Sequence, residues 1–352
     1  MATSSFAKIF QTLLLPLSLL WEWVYRIRRF MFNYGLLKQN YFQVPIISIG
    51  NLTFGGTGKT PFTLWLSEYL GSKDMRVLVL MRGYKGNLEH GSGLLKSGAR
   101  LGYNPFEYGD EALVLARRLK NTFIAVGKKR SENLEHYFES VSPDVVLLDD
   151  GHQHLKLNRN LNIVLFDSLM SLEKYKVAPR GYMREGFSAL KDADLVVLGR
   201  ADLVTRHKLD SLKRVIKKYN HRISFAEICY RATGFFNISY ERAFDIEYLV
   251  GKRVICVAGI ASPYSFFKNI EMLGIEVIHQ ASFPDHHYFK TEEIDQLIEM
   301  AEKEDAYILT TEKDIVKIRR VADSERILYM EIKIHFLEGE KETKDIISTA
   351  FN

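Results

Sequence analysis

"GNLTFGGTGKTPF", residues 50–62, decides how the rest of the chain is read. It follows an apolar run, "VPIISIG" at 44–50, and opens into the helical pattern "KTPFTLWLSEYL" at 59–70. A glycine-rich turn between a strand and a helix gathers main-chain N–H groups and the positive end of a helix around one point, which suits phosphate. Thr53, Phe54, Gly55, Gly56, Thr57, Gly58, Lys59 and Thr60 are therefore the expected nucleotide-binding segment. Lys59 is placed to reach the β- and γ-phosphates of ATP, and the Thr60 hydroxyl to ligate Mg²⁺. Pro61 falls in the first helical turn, where proline is tolerated. The strict pattern has glycine where this chain has Thr53, and a flexible strand-to-helix turn is the plain alternative. An ATP-driven dimerising switch would carry lysine directly before the two glycines; here that residue is Phe54.

Outward from the loop, short and nearly continuous apolar runs alternate with amphipathic helical segments. "RVLVLMRGY" at 76–84, "TFIAVG" at 122–127, "DVVLLDD" at 144–150, "LNIVLFD" at 161–167 and "ADLVVLGR" at 193–200 read as buried strands. This predicts an α/β fold: a P-loop NTPase-like parallel sheet with helices on both faces, spanning residues 34–221. A second, shorter αβ series at 241–324 predicts a smaller C-terminal α/β domain. Two alternating segments, within 222–240 and 325–337, are expected to pair as a two-stranded linker that returns a helix at 338–352 to the first domain. The crevice between the two domains is the natural ligand site.

The chain has 352 residues, is 47% hydrophobic and 26% charged, and has two cysteines far apart. That fits a reducing compartment and excludes a thiolate zinc site. A net charge of +5 is too mild for a protein that coats nucleic acid. Residues 1–33 depart from this ordinary pattern. "IFQTLLLPLSLLWEWVYRIRRF" at 9–30 is apolar, then aromatic, then basic at Arg26, Arg28 and Arg29. Its apolar part would make a helix of about 24 Å, short of the roughly 30 Å of a bilayer core. Tryptophans beside arginines suit the headgroup layer, so the segment is read as a helix lying on an anionic membrane surface. A helix packed on the protein's own core is the alternative.

Two further stretches bear chemistry. "VVLLDDGHQH" at 145–154 ends an apolar strand in Asp149 and Asp150, the form of a carboxylate pair that holds Mg²⁺ or its water shell; solvated loop acids are the alternative. Asp110, in "YGDE", is the leading base for a hydroxyl acceptor, against a helix N-cap. His286 or His287, in "FPDHH", is expected to orient it when the domains close. Arg130 and Arg184 are the candidates for stabilising charge on a moving phosphoryl group, with Glu185 as a further metal or ribose contact. "TTEKD" at 310–314 reads first as a capping pair of Thr311 and Asp314.

Taken in order, "GGTGKTP", "RGY", "GDE", "VGKKR", "DDGHQH", "MREG", "FPDHH" and "TEKD" resemble the tetraacyldisaccharide 4'-kinase family over nearly the whole chain. The resemblance implies ATP-dependent phosphorylation of the 4'-hydroxyl of a tetraacylated glucosamine disaccharide 1-phosphate, giving lipid IVA. Such an acceptor remains in the bilayer, so the enzyme is expected to dock at the cytoplasmic face of the inner membrane, and a monomer is expected. The chain departs from the family at His152, where an apolar residue is frequent, and at Gly186, where proline is common. A metal-dependent phosphoesterase built on the histidines and aspartates, or a membrane-associated ATP switch, are the rival readings.

Overall fold

The computed structural model describes residues 12–98 and 103–351. Residues 1–11 of the predicted membrane-surface segment and residue 352 of the returning helix lie outside the described residues. A helix, α1 (Leu15–Asn33), precedes β1 (Ile46–Asn51), α2 (Lys59–Gly71), β2 (Val77–Met81), β3 (Gly93–Lys96), α3 (Pro105–Tyr108) and α4 (Asp110–Arg118). Then come β4 (Thr122–Val126), α5 (Arg130–Val141), β5 (Val145–Asp149), β6 (Leu161–Asp167), β7 (Leu195–Gly199) and α6 (Arg206–Lys217). The remainder comprises β8 (Ser224–Asn237), β9 (Arg242–Phe244), β10 (Arg253–Ala258), α7 (Pro263–Met272), β11 (Glu276–Ser282) and α8 (Thr291–Lys303). It closes with β12 (Tyr307–Thr311), α9 (Glu312–Ile318), β13 (Ile327–Glu338) and α10 (Glu340–Thr349).

The strands form one sheet in the order β11-β10-β12-β13-β8-β7-β6-β1-β5-β2-β4-β3, with β9 beside β8. Strands β1, β2, β4, β5, β6 and β7 pair only in parallel with one another, and each reads as an unbroken apolar run because both faces are covered. Successive side chains point to opposite faces. Ile47, Val79 and Leu147 pack with Phe62 and Leu66 of α2 and Leu115 of α4, while Ile46, Leu78 and Val146 pack with Leu134 and Val141 of α5. Each such buried aliphatic side chain contributes about 1.5–3 kcal/mol. The edge strand β3 runs antiparallel to β4, and its short "GLLK" carried no strand signal at the sequence level.

Strands β8 and β13 are antiparallel, and their register runs from Leu328 opposite Asn237 to Glu338 opposite Glu227. The beginning of β8 lies parallel on β7, at Ser224–Glu227, and the beginning of β13 lies parallel on β12. The two parallel sets of strands therefore run toward each other along this ladder. Their carboxyl ends meet across one crevice, the edge where open α/β sheets bind ligands.

Candidate active site

That crevice has a volume of about 860 Å³ and is lined by residues 54–61, Glu111, Arg130, Asp149, Asp150, Arg184, His286 and Lys313, among others. The phosphate loop enters it from β1. Gly58 ends the loop at φ 85°, a left-handed conformation that favours glycine, and α2 starts at Lys59. A Cβ at Gly58 would also lie 1.7 Å from the Tyr230 hydroxyl, so a side chain there would have to displace Tyr230 as well as strain the turn. Among the described residues, none accepts a hydrogen bond from the main-chain amides of Gly55 to Thr60, which leaves them for an anion. The amide of Phe54 is different: it donates to the Tyr182 carbonyl at 2.8 Å, and Thr53 bridges to Met183. The run of unbonded amides thus begins at Gly55, not at Thr53. Phe54 serves instead as a platform, its ring 5.4 Å below the Arg184 guanidinium.

Strand β5 delivers the acid pair from the neighbouring position in the sheet. Asp149 Oδ1 accepts from the Thr63 hydroxyl at 3.1 Å. Burial and then Glu111 push its carboxyl up to about 7, against the pull of Lys59. Asp150 is buried too, but Lys59, Arg184 and Arg130 outweigh that burial and hold it well below the usual carboxylate range. Lys59 Nζ stands 3.3 Å and Arg184 Nη1 2.8 Å from its two oxygens. Arg130 Nη1 donates to the Asp150 carbonyl at 3.4 Å. Burial lowers its guanidinium below the ordinary value, with Asp150 and Asp149 opposing.

Glu185 is not brought to this cluster. It is not a lining residue of the crevice, and its carboxylate takes the Arg29 Nε at 2.5 Å. The adjacency of "RE" in the sequence misleads because consecutive residues here face opposite ways. Arg29 also meets Asp192 at 2.8 Å and the His152 carbonyl, and Arg28 donates to the Gln153 carbonyl at 2.9 Å. Of the three arginines read as a membrane-facing cluster, only Arg26 projects outward, with its side chain 57% exposed. The predicted face is instead apolar: Leu13, Leu17, Leu20, Val24 and Ile27 are exposed at helical spacing, flanked by Trp23 and Phe30. No helix among the described residues is long and apolar enough to cross a membrane.

Across the crevice, Asp110 is the first residue of α4, but the cap is Gly109, at φ 83° and ψ 152°. The N-cap alternative for Asp110 therefore falls. Its carboxylate meets His286 Nδ1 at 3.1 and 3.0 Å and Lys317 Nζ at 3.3 Å, and accepts from the Glu111 amide at 2.8 Å. Burial pushes this carboxyl up, but Lys313, the His286 hydrogen bond and Lys317 outweigh it and hold it far below the usual range. His287 is turned away, with Nε2 2.9 Å from Glu293. Thr311 does cap α9, accepting from the Asp314 amide at 3.1 Å. The same short helix also supplies Lys313 and Lys317, whose place in the site the capping reading hid. Among the described residues, no three His, Cys, Asp or Glu side chains gather as a metal-binding group.

A family model described as tetraacyldisaccharide-1-P 4'-kinase matches residues 10–352. The chain is 35% identical over 308 residues to the tetraacyldisaccharide 4'-kinase of Pelobacter propionicus, covering 87% of this chain and 83% of that one. It is 34% identical over 336 residues to the protein of the same name from Syntrophotalea carbinolica, covering 94% and 90%. Its fold is similar to the "apo" form of LpxK from Aquifex aeolicus solved in complex with ATP. The TM-score is 0.77 at 29% identity, covering 97% of this chain and 100% of that one. The chain belongs to the tetraacyldisaccharide 4'-kinase family.

Proposed function

We propose that the protein transfers the γ-phosphoryl group of ATP to the 4'-hydroxyl of a tetraacylated glucosamine disaccharide 1-phosphate, the step that yields lipid IVA in lipid A biosynthesis. The observation that carries this reading is the crevice itself. Free amides at the end of β1 and His286 of the 283–287 loop face one space within a chain of this family, and Asp110 of α4 lies directly behind that histidine, 3.0 Å from its Nδ1. The amides of Gly55 to Thr60 and Lys59 bind the triphosphate. Arg130 and Arg184 neutralise charge on the transferring group. Asp110, held by His286, takes the acceptor proton.

Thr60, Asp149 and Asp150 are the oxygen donors for Mg²⁺. Two carboxylates and a hydroxyl beside nucleotide phosphates suit that ion, and the buried Asp149, neutral up to about pH 7 without a cation, has the chemistry of an incomplete ligand. An ion held by these residues would supply positive charge against the nucleotide phosphates. The assignment of residues 34–221 as kinase core, 222–240 with 325–337 as linker and 241–324 as a closing domain rests on the β8–β13 ladder. The apolar outer stripe of α1 supports docking of a monomer on the cytoplasmic face of the inner membrane, where the lipid acceptor resides.

The test is incubation with labelled ATP and a panel of lipid and sugar acceptors, followed by mass analysis. Phosphorylation of the disaccharide lipid at its 4'-oxygen is expected. Transfer to a different acceptor, or phosphate release alone, would overturn the reading.

A further inference from the structure

Helix α9 sets two lysines against the Asp110–His286 pair, and one of them decides what the histidine can do. Lys313 Nζ lies 3.3 Å from His286 Nε2, 3.0 Å from Glu111 and 3.7 Å from Asp285. Burial works against its charge, but Glu111, Asp110 and Asp285 more than offset that and hold the amine protonated. An ammonium only donates, so Nε2 must present its lone pair to it. On the other edge of the ring, Nδ1 faces both oxygens of an ionised carboxylate, which only accepts, so Nδ1 must carry the proton.

The lysine is fixed in place. Its neighbour Glu312 is gripped by Arg117 and by Arg118, the latter at 2.9 Å, both from the helix that carries Asp110. Asp314, on its other side, accepts from the Gly259 amide at 2.9 Å. The remaining groups around the ring are Lys317, which reaches it through Asp110, Tyr84, edge-on at 5.2 Å, and the Asp285 carboxylate, whose Oδ2 stands 3.7 Å from Nε2, farther than the Lys313 amine and beyond hydrogen-bond reach.

We propose that Lys313 is a positioning residue that locks His286 in its neutral, Nδ1-protonated tautomer, so that Asp110 and not His286 receives the proton of the acceptor hydroxyl. This rests on the kinase reading above. In the step, the acceptor O–H bond breaks and its proton passes to an Asp110 oxygen. The freed oxygen bonds to the γ-phosphorus, and the bridging bond to the β-phosphate breaks with its electron pair leaving on ADP. His286, with one nitrogen donating and the other covered by an ammonium, holds the carboxylate without joining the transfer.

The experiment is two-bond ¹H–¹⁵N correlation on the full chain with labelled histidine, the His286 signals being those missing in His286→Gln. The wild type should show a pyrrole-type Nδ1 and a pyridine-type Nε2 at neutral pH. Lys313→Met should move Nε2 out of the pyridine-type position and lower kcat on the order of tenfold, part of the roughly 10²–10⁴-fold that a positioned base supplies. KM for ATP should stay unchanged, and Lys313→Arg should restore most of the rate. An Nε2-protonated or doubly protonated ring in wild type overturns the proposal even if Lys313→Met fails to fold. So does a rise in KM for ATP with the ring signals unmoved, which would make Lys313 a phosphate ligand. A wild type with the expected tautomer that phosphorylates no disaccharide lipid fails the kinase reading instead.

Discussion

The two walls of the crevice are assembled from very different lengths of chain. On the phosphate side, residues 55–60 and Asp149–Asp150 stand at the tips of β1 and β5, adjacent parallel strands in direct register. On the opposite side, where the base is proposed, Asp110 meets Lys317 across a sequence separation of 207 and His286 across 176. The first wall is made mostly of backbone, whose conformation a short glycine-rich segment dictates locally. The second is made of side chains that meet only when two sets of strands close on each other. A backbone site survives small shifts of its neighbours; a tertiary one depends on every element that holds it.

The largest effect should come from the tertiary wall. Asp110→Ala is expected to lower kcat by about 10²–10⁴-fold with ATP affinity retained, as measured by turnover and nucleotide titration; near-normal turnover would remove Asp110 from the chemistry. Lys59→Ala, in the local wall, should lose about 10²–10³-fold and weaken ATP binding as well. If ATP affinity held while turnover collapsed, the contrast between a binding wall and a base wall would blur.

The clamp that joins the walls comes next. Arg118 is buried against Glu312, which Arg117 also holds, so Arg118→Met removes one of that carboxylate's two partners, at about 1.5–3 kcal/mol of stability. Calorimetry should show the drop, and an unchanged Tm would mean the walls are held elsewhere. Val24→Glu on the outer stripe of α1 should weaken association with anionic vesicles about tenfold, the scale of one buried aliphatic side chain. Turnover on a detergent-free, short-chain acceptor should be untouched; equal vesicle binding would leave the stripe without a role.

The smallest effect belongs to Asp149. With neither metal nor nucleotide bound, its protonated form is favoured in the folded state, because burial and Glu111 raise its carboxyl to about 7 from 3.8. The stabilisation that this proton supplies is complete below the unfolded value and is lost as pH rises through about 7. Asp149→Asn, which never ionises, should therefore gain a few degrees in Tm over wild type as pH rises from 4 to 7, with no further gain above that. A difference independent of pH would place the raised value in doubt.

Sequence and structure agree best where the backbone sets the answer. The runs ending at Gly50 and Asp149 declared both strands and loop, since parallel strands buried on both faces leave little choice of residue. Side-chain direction was less legible. Arg184 and Glu185 are neighbours in sequence, yet one enters the crevice and the other turns to Arg29. Arg26, Arg28 and Arg29 form one basic cluster in sequence, but the helix turns two of them inward. Lys313 and Lys317 gave no signal, because a charged pair at spacing four on a helix reads as a solvated face until another element, here α4, covers it.

One feature of the fold reaches further than the site. Because the β8–β13 ladder turns two parallel sets of strands to face each other, its length is a ruler for the gap between them. Strands advance about 3.3 Å per residue and alternate faces with a period of two. Lengthening both strands by a residue pair would thus part the two walls by roughly 7 Å without turning any side chain to the wrong side. Reach toward a bulkier acceptor could then evolve by insertion in these two strands, away from Tyr230, Met330 and Ile332, the side chains by which they line the crevice.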